Sequence, residues 1–313
     1  MLIRSYGDPE VFYLGETKMP VIKDDEILIK VYGSSVNPVD TGIRRGLLKN
    51  FVRLKLPAVL GVDISGEVVE IGKKVQKFKT GDKVYAFTGI FKNGGYGEYI
   101  AIPDSFAAIV PPNLNVIEAG VVPGVGMTAY EAFTIHAPIT PGMKILINGA
   151  TGGVGTYAIQ IAKYFGAEVT AVCSTAKAGL ANQLGADKII DYQVYNILNE
   201  KERYDIILNC VRGIPFNKFL KLLKPGGKSL VITASPSEVP LIKLYNLFSF
   251  KKTITFFVKT DGKILERLSN LIQEDKVKPI IEKTYLWKDL AQAHRHVETG
   301  KIAGRVGVSM LFD

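Results

Sequence analysis

The sequence predicts an α/β protein in which a β-rich domain accompanies a doubly wound parallel sheet. Residues 1 to about 115 contain short apolar runs punctuated by Gly and Pro, such as "AVLGVDISGEVVEIG", which are typical of a barrel-like all-β unit. Further along, short apolar strands alternate with helical patterns, and a glycine cluster, "ATGGVG", stands at the first strand–helix junction. A chain of 313 residues has room for both domains.

The individual elements follow from the apolar spacing. In the first region, the predicted strands lie in "EILIKVYGSSVNPVD", "AVLGVDISGEVVEIG", "GDKVYAFTG" and "GYGEYIAIP". Then "KILINGA" predicts a buried strand, and "GVGTYAIQIAKYFGA" a helix with apolar residues at helical spacing from Val154 to Phe165. The next predicted elements are strand "EVTAVCS", helix "KAGLANQLGA" and strands "KIIDY", "YDIILNCV" and "KSLVITAS". The tail beyond about 265 predicts helix "LERLSNLIQEDK", the segment "KPIIEKTYLW", helix "KDLAQAHRHVETG" and the last strand "GRVGVSMLF".

Composition and charge exclude several protein classes. The chain is 47% hydrophobic and 22% charged, as in ordinary globular proteins, and its surplus of +9 suits anionic small molecules, acidic surfaces or nucleic acid without choosing among them. Cys173 and Cys210 lie in apolar runs and cannot form a disulfide framework, so we expect reduced, buried thiols. Arg4, Asp8 and Glu10 interrupt the place of a signal peptide, and no membrane span is expected, which favours a cytoplasmic protein.

The glycine-rich junction predicts a dinucleotide site. Ala150, Gly152 and Gly155 occupy a G-x-G-x-x-G frame, with Ala in the first place, between a predicted strand and a predicted helix. Missing side chains let a pyrophosphate approach the backbone N–H groups, and the helix N-terminus adds partial positive charge. A tight turn without a ligand is the alternative. The expected cofactor contacts are Ala150, Thr151, Gly152, Gly153, Val154 and Gly155.

The end of the second strand predicts NADP(H) over NAD(H). An NAD site would place Asp or Glu about 20 residues past the glycines, to bind the ribose 2′-hydroxyl. Here the chain has Ser174 and Thr175, with Lys177 just beyond. A carboxylate about 4 Å from a 2′-phosphate would cost on the order of 4 kcal/mol at an effective dielectric near 20, whereas hydroxyls and an ammonium donate charge-assisted hydrogen bonds. Alternatively, Lys177 is a solvated residue at a helix start.

Over nearly its whole length the chain resembles the medium-chain dehydrogenases/reductases of the zinc-free quinone oxidoreductase type, the zeta-crystallin-like branch. The motifs that carry the resemblance are "SSVNPVDTGIRRG", "LGVDISGEVVEIG", "GDKVYAF", "GYGEYIAIP", "PGVGMTAYEAF", "INGATGGVG" and "LGADKIIDY". It implies a GroES-like catalytic domain formed from residues 1–118 and 263–313, an inserted NADP-binding Rossmann domain at 119–262, and a homodimer.

The resemblance also implies further contacts with the cofactor. It makes Tyr192 a neighbour of the adenosine 2′-phosphate, beside Ser174 and Lys177. Arg305 occupies a place where the family often has a basic residue near the cofactor, and a surface role is the alternative. The segments "NCVRG" and "TFFVK" would lend backbone contacts around the nicotinamide. The residues expected at that end are Thr128, Val211, Phe257 and Val258.

No metal is expected. In metal-dependent relatives a Cys, a Gly-His-Glu run and a further Cys supply the zinc ligands, and those places read Asn37, Val62 and Gly124 here. Valine and glycine have no donor side chain for a tetrahedral zinc site, and two cysteines cannot build a four-cysteine zinc lobe. The histidines have other expected places: His294 in the core, His296 on another face of the same helix, and His136 alone near a Pro-rich turn.

The expected reaction is metal-free hydride transfer from nicotinamide C4 to the electron-poor carbon of a quinone or an α,β-unsaturated carbonyl. Asn37 is the candidate catalytic and cofactor-binding residue, because its amide can donate to ribose or substrate. A turn-forming Asn before Pro is the alternative. Gly42 stands where many quinone reductases of this family have Tyr, so the proton donor is unassigned. Asp40 is expected to pair with Arg44 or Arg45.

Two other functions stay open at this point. The basic surplus would permit a non-catalytic NADPH-binding protein with a nucleic-acid-binding role, although no basic stripe with interleaved aromatics and no RNA-binding module is present. An enoyl reductase acting in a synthase is the third hypothesis, and the absence of an accompanying carrier or partner domain weakens it.

Overall fold

The chain forms two compact units. The computed structural model describes residues 1–235 and 237–311. Unit 1 comprises Met1–Met127, Lys259–Asp275 and the chain from Pro279 onward, and unit 2 comprises Thr128–Val258 and Lys276–Lys278. The domain boundaries predicted from the sequence lie after residues 118 and 262. They remain predictions, because the two compact units do not test them.

The elements are numbered in chain order. The strands are β1 (Leu2–Ile3), β2 (Phe12–Tyr13), β3 (Glu26–Ser35), β4 (Ala58–Val59), β5 (Asp63–Ile71), β6 (Lys83–Phe87), β7 (Tyr99–Pro103), β8 (Ala107–Ile109), β9 (Lys144–Asn148), β10 (Glu168–Cys173), β11 (Lys188–Asp191), β12 (Tyr204–Asn209), β13 (Leu223–Val231), β14 (Lys252–Ile254), β15 (Ile281–Leu286) and β16 (Arg305–Ser309). The α-helices are α1 (Pro38–Arg44), α2 (Val116–Ala119), α3 (Pro123–Glu131), α4 (Gly153–Tyr164), α5 (Ala178–Gln183), α6 (Glu238–Phe248), α7 (Gly262–Gln273) and α8 (Leu290–Glu298). A π-helical turn, Ala132–His136, continues α3, and short 3-10 helices occupy Pro9–Val11, Asp104–Phe106, Thr175–Lys177, Ile197–Asn199, Phe216–Leu222 and Trp287–Asp289.

Unit 2 is built on a parallel sheet with the strand order β11-β10-β9-β12-β13-β14. The chain winds outward from β9 in one direction and, from β12 on, in the other. This is the doubly wound order of the Rossmann fold, in which ligands bind at the carboxyl ends of the strands on either side of the reversal. The predicted α/β fold class is therefore confirmed.

Burial on both faces explains why these strands have apolar sequences without polar alternation. In β9, the side chains of Ile145, Leu146 and Ile147 are fully buried, and full burial stabilises each by about 1.5–3 kcal/mol. Helix α4 packs on β9 and β10 and buries Ala158 and Ile161 against them. The glycine-rich junction is thereby held between two rigid elements.

Unit 1 contains a seven-stranded sheet in the order β15-β16-β3-β5-β6-β8, with β7 also paired to β3. Strand pairs are antiparallel except for β15 and β16. Strand β16, near the chain end, pairs with β3 and completes the sheet that the first part of the chain begins. The core beneath this sheet is apolar, with Ile27, Ile29, Ile64 and Val308 fully or almost fully buried.

The structure differs from the helix predictions at α5 and α6. The segment "KAGLANQLGA" forms only a 3-10 turn and the six-residue α5, which ends before Gly185 at a φ of 97°. Helix α6 was not predicted, because its apolar residues do not mark a buried face: Leu241, Leu244 and Leu247 are exposed. Among the described residues, no helix is long and apolar enough to cross a membrane.

Candidate active-site residues

The glycine-rich turn lies between the end of β9 and the start of α4, as predicted. Gly149 makes the turn with a φ of 79°, and Gly152 is the N-cap of α4. A Cβ atom at Gly155 would lie 2.3 Å from the carbonyl oxygen of Gly149 and 2.6 Å from the carbonyl carbon of Ala150. Only glycine therefore allows α4 to approach the turn this closely, which is the role of the third glycine in dinucleotide-binding turns.

The start of α4 is suited to an anion. The first N–H groups of a helix have no acceptor within the helix, and here they belong to Gly153, Val154 and Gly155. The N-cap residue, Gly152, has no side chain that could satisfy them. Gly152, Gly153 and Val154 are partly accessible, whereas Ala150 and Thr151 are buried. The accessible backbone of the turn thus fits a pyrophosphate, and the two buried residues support its shape.

Most of the other predicted cofactor residues follow the carboxyl ends of strands in unit 2. Because that sheet is parallel, they all lie along one edge of it. Ser174 and Lys177 follow β10, Tyr192 follows β11, Val211 follows β12, and Phe257 and Val258 follow β14. Tyr192 and Phe257 expose 60% and 81% of their surfaces at this edge. Three predicted residues are exceptions: Thr128 lies on α3 and follows no strand, and Asn37 and Arg305 belong to unit 1.

Sequence reasoning missed Asp191, which ends β11 in register with Cys173 of β10. Its Oδ2 accepts a hydrogen bond from Thr175 Oγ1, and its Oδ1 accepts one from the Gln193 N–H at 2.8 Å. The Thr175 hydrogen bond, together with the Gln193 N–H, lowers the pKa of this carboxyl and keeps it ionised. A carboxylate therefore does stand near the end of β10, although it comes from the neighbouring strand. Parallel register between the two strands was the signal that could have revealed it.

A buried amide pair, also missed, joins the strands on either side of the sheet reversal. Asn148 at the end of β9 donates from Nδ2 to Asn209 Oδ1 at the end of β12, at 2.8 Å. The same oxygen accepts from the Val211 N–H at 3.1 Å. A Cβ atom at Gly149 would lie 2.9 Å from Val211 Cγ2. The pair therefore holds the glycine turn and the segment around Val211 close together.

In unit 1, Asn37 is the N-cap of α1 and lies inside a buried polar cluster. Its Nδ2 lies 3.1 Å from Asp40 Oδ2, 3.0 Å from Asp63 Oδ2 and 3.4 Å from Ser35 Oγ. Both amide hydrogens are thus directed at carboxylates, which accept hydrogen bonds when ionised. In this arrangement Nδ2 is engaged within the cluster, which leaves the acceptor Oδ1 as the atom that could meet a ligand. The contact itself stays a prediction.

Asp63 and Arg305 form a buried ion pair. Asp63 is fully buried, and its Oδ2 lies 3.0 Å from Arg305 Nη2 and accepts from Ser35 Oγ at 2.7 Å. Its Oδ1 accepts from the Gly124 N–H, at the start of α3, at 2.7 Å. Arg305 is 1% exposed and donates from Nε to the Val121 carbonyl, so the alternative of a surface role is wrong.

Asp40 does not have the ion-pair partner that we expected. Arg44 pairs with Glu298 of α8, so the predicted pairing of Arg44 with Asp40 is wrong. Burial, and to a smaller extent the charge of Asp63, raise the pKa of Asp40 to about 7, against the hydrogen bonds from Asn37, which lower it. Among the described residues, Asp40 Oδ1 has no hydrogen-bond partner. Near neutral pH, this carboxyl is therefore poised between its charged and neutral forms.

The positions of zinc ligands in metal-dependent relatives do not fit zinc here. The Val62 carbonyl accepts from the Thr88 N–H at 2.7 Å, and a Cβ atom at Gly124 would lie 3.0 Å from Asp63 Oδ1. Neither residue has a metal-binding side chain. Within residues 1–235 and 237–311, no group of three His, Cys, Asp or Glu side chains is arranged to hold a metal ion.

Two of the histidines, His294 and His136, contact aromatic side chains. His294 is buried in the core, as predicted, with Nε2 3.2 Å from the hydroxyl of Tyr96. His136 does not lie alone, because it stacks on Phe256 at 4.0 Å between ring centroids.

Comparisons with known proteins agree with this architecture. The family model "Alcohol dehydrogenase GroES-like domain" matches residues 23–112, and "Zinc-binding dehydrogenase" matches residues 184–307. The chloroplast envelope quinone oxidoreductase homolog of Arabidopsis thaliana is 32% identical over 301 residues, covering 93% of this chain and 92% of the relative.

Another Arabidopsis thaliana protein, the chloroplastic NADPH-dependent alkenal/one oxidoreductase, is 32% identical over 314 residues, covering 97% of this chain and 77% of the relative. The structure of the quinone oxidoreductase from Coxiella burnetii superposes with a TM-score of 0.89 at 28% identity, covering 98% of both chains. The chain therefore belongs to the quinone oxidoreductase family of the medium-chain dehydrogenases/reductases.

Proposed function

We propose that this protein is an NADPH-dependent oxidoreductase that reduces quinones or α,β-unsaturated carbonyls without a metal. The observation that carries the proposal is the turn closed by Gly155, which places the first N–H groups of α4, without acceptors inside the helix, at the carboxyl edge of a doubly wound sheet. The named activities of two relatives, a quinone oxidoreductase homolog and an alkenal/one oxidoreductase, support the acceptor class. When bound, NADPH supplies a hydride from C4 of its nicotinamide.

In unit 2, the chain would hold the phosphates. The N–H groups of Gly153, Val154 and Gly155 would bind the pyrophosphate, with the helix dipole of α4 adding to the attraction. Ser174, Lys177 and Tyr192 would contact the 2′-phosphate, and this set supports NADP(H) over NAD(H). The NADPH dependence in the name of the alkenal/one relative supports the same choice.

At the nicotinamide end, the residues of this chain would orient the ring and exclude water. Val211, Phe257 and Val258 offer apolar surface and backbone groups, and Phe257, which is 81% exposed, would be covered by the ligand. Thr128 would approach the same end of the cofactor.

Asn37 would accept a hydrogen bond through Oδ1 from a ribose hydroxyl or an amide N–H. Arg305 would act through Asp63, since its Nε and Nη2 groups are already engaged. Gly42 supplies no side-chain donor, so the proton that reaches the product would come from water or a ribose hydroxyl.

We further propose a cytoplasmic homodimer. Strand β14 is at the edge of its sheet and contacts α6, whose Leu244, Leu247 and Phe248 are more than half exposed. An edge strand beside an apolar helix face is the kind of surface that a second copy buries. Light scattering should give a dimer for the wild type and a monomer for Leu244→Glu/Leu247→Glu. Fractionation of the source cells would decide the compartment, because the names of the two Arabidopsis relatives place them in chloroplasts.

A spectrophotometric assay tests the activity. Purified protein is mixed with NADPH and a panel of quinones and enones, and the loss of reduced-nicotinamide absorbance is followed with and without each acceptor. Gly155→Ala should abolish acceptor-dependent oxidation, because its Cβ collides with the turn, while Gly179→Ala, which has open space at that position, should not. NADPH that is bound but never oxidised with any acceptor would contradict the proposal.

A further inference from the structure

We infer that Asp40 is a positioning residue for Asn37, which it orients so that the side-chain oxygen of Asn37, and not its nitrogen, is the atom available to a ligand. The inference deepens the proposed function and rests on it. Its basis is the buried cluster in unit 1 that surrounds the start of α1.

One oxygen atom of Asp40 accepts two hydrogen bonds from Asn37. Asp40 Oδ2 accepts from the backbone N–H of Asn37 at 2.8 Å and from its Nδ2 at 3.1 Å. Both bonds lie within the first turn of α1 and are buried. The backbone bond fixes the N-cap, and the side-chain bond fixes the rotation of the carboxamide at the same time.

A second carboxylate, from a different element, fixes the same nitrogen. Asp63 on β5 accepts from Asn37 Nδ2 at 3.0 Å, and is itself held by Arg305 on β16 and by the Gly124 N–H on α3. Rotating the carboxamide by half a turn would place its oxygen against two carboxylate oxygens, exchanging two hydrogen bonds for repulsion. The orientation with Oδ1 turned away from the carboxylates is therefore set by packing before any ligand arrives.

The neutral form of Asp40 can also accept these two hydrogen bonds. The atom that binds Asn37 is Oδ2, whereas Oδ1 is buried and has no partner among the described residues. A proton, or an amide nitrogen, can therefore occupy the Oδ1 side while the other oxygen continues to accept from Asn37. Asp40→Asn should preserve the positioning, and Asp40→Ala should remove it.

The groups that face Asp40 come from several elements. Besides Asn37, they are Asp63 on β5, Arg305 on β16 and Tyr96 in the loop before β7. Tyr96 in turn contacts His294 on α8. Arg305 is the cation among the groups that face Asp40 directly, and it is paired with Asp63. Asp40 is therefore not the primary partner of this cation, and its polar contacts are the two bonds from Asn37 together with an interaction with the Tyr96 hydroxyl.

A double-mutant cycle separates positioning from general stability. The variants are Asp40→Ala, Asn37→Ala and the two combined, with Asp40→Asn as the conservative replacement. The matched control is Asp82→Asn, because Asp82 likewise accepts from the backbone N–H three residues before it, at 2.9 Å, but on an exposed loop of the same unit. Each protein is assayed for kcat/KM with NADPH and an acceptor, and for the NADPH dissociation constant by nicotinamide fluorescence, at a temperature where all are folded.

Positioning through Asn37 predicts non-additive losses. Asp40→Ala and Asn37→Ala should each lower kcat/KM by about tenfold or more, and the combined variant should fall no more than about threefold below Asn37→Ala alone. Asp40→Asn and Asp82→Asn should stay within about threefold of the wild type. A purely structural Asp40 would instead lower kcat/KM equally in both backgrounds.

Three results would overturn the inference: additive losses, an Asp40→Asn variant as impaired as Asp40→Ala, or an Asp40→Ala variant that matches the wild type. A wild type that binds NADPH but reduces no acceptor would contradict the proposed function instead. In that case the same cycle on the dissociation constant decides the inference: coupling between the two residues supports it, and equal constants for all variants overturn it.

Discussion

Replacing Arg305 with Met should destabilise unit 1 by about 3–5 kcal/mol, because it leaves a buried carboxylate without its cation. Arg305 and Asp63 are both almost completely buried, and Nη2 and Oδ2 lie 3.0 Å apart. Water cannot replace the lost guanidinium at such a site, so the desolvated charge of Asp63 is no longer compensated.

The structure also indicates where in that range the loss should fall. Asp63 would keep its hydrogen bonds from Ser35 Oγ and the Gly124 N–H, both at 2.7 Å, which moderates the loss. On the other hand, the Val121 carbonyl would lose its donor, Arg305 Nε. A loss near the middle of the range is therefore expected. Arg305→Lys keeps the positive charge but not the planar set of N–H donors. It should lose less unfolding free energy than Arg305→Met.

Urea denaturation followed by tryptophan fluorescence is the suitable assay, because the single tryptophan of the chain, Trp287, lies in unit 1. The matched control is Arg295→Met, which breaks an ion pair with Glu10 in which both side chains are more than half exposed. The control should cost no more than about 1 kcal/mol. An Arg305→Met variant that unfolds at the same urea concentration as the control would show that the buried pair stabilises unit 1 no more than an exposed one.

The remaining predictions concern pH, cofactor choice and α1. Burial is the main cause that raises the pKa of Asp40 from 3.8 to about 7. Folding therefore favours the neutral carboxyl. The stabilisation that this gives is fully present below pH 3.8 and is lost as the pH rises through 7. Relative to Asp40→Asn, the wild type should lose up to about 4 kcal/mol of unfolding free energy over that range, and a constant difference in urea midpoints would contradict this. Lys177→Met should weaken the preference for NADPH over NADH by about tenfold or more, and Asp191→Asn should strengthen it. The preference is measured as the ratio of kcat/KM with NADPH to kcat/KM with NADH. Unchanged ratios would contradict a role of Lys177 and Asp191 in cofactor choice. Gly42→Ala should stabilise α1 by about 0.5–1 kcal/mol in thermal unfolding, because the new Cβ would lie 3.9 Å from Leu48 Cδ1, an ordinary contact; a lower melting temperature would argue against it.

The sequence was sufficient to predict the parallel sheet and the glycine turn, because both depend on local patterns. A strand buried on both faces, such as β9, is apolar along most of its length. Helix α4 approaches the turn so closely that position 155 has room only for glycine. Helix α6 escaped prediction for the opposite reason: its leucines are exposed, so their spacing does not report a buried face.

The errors in the site came from residues that meet only in the folded chain. Asp191 reaches the end of β10 through strand register, which local reasoning about the segment after β10 does not include. The direction of the Asn37 amide depends on Asp63, 26 residues away, and on its partner Arg305, 242 residues beyond Asp63. A motif can therefore predict that such a residue matters, but not which of its atoms faces a ligand.

Deuterium transfer from NADPH is the decisive test of metal-free hydride transfer by this protein. The protein is incubated with NADPH carrying deuterium at C4 and an α,β-unsaturated ketone, and the product is analysed by mass spectrometry and NMR. Metal-free hydride transfer predicts deuterium on the carbon β to the carbonyl, in protein freed of metals by a chelator as well as in untreated protein. Product without deuterium, or activity that disappears with the chelator and returns with zinc, would contradict it.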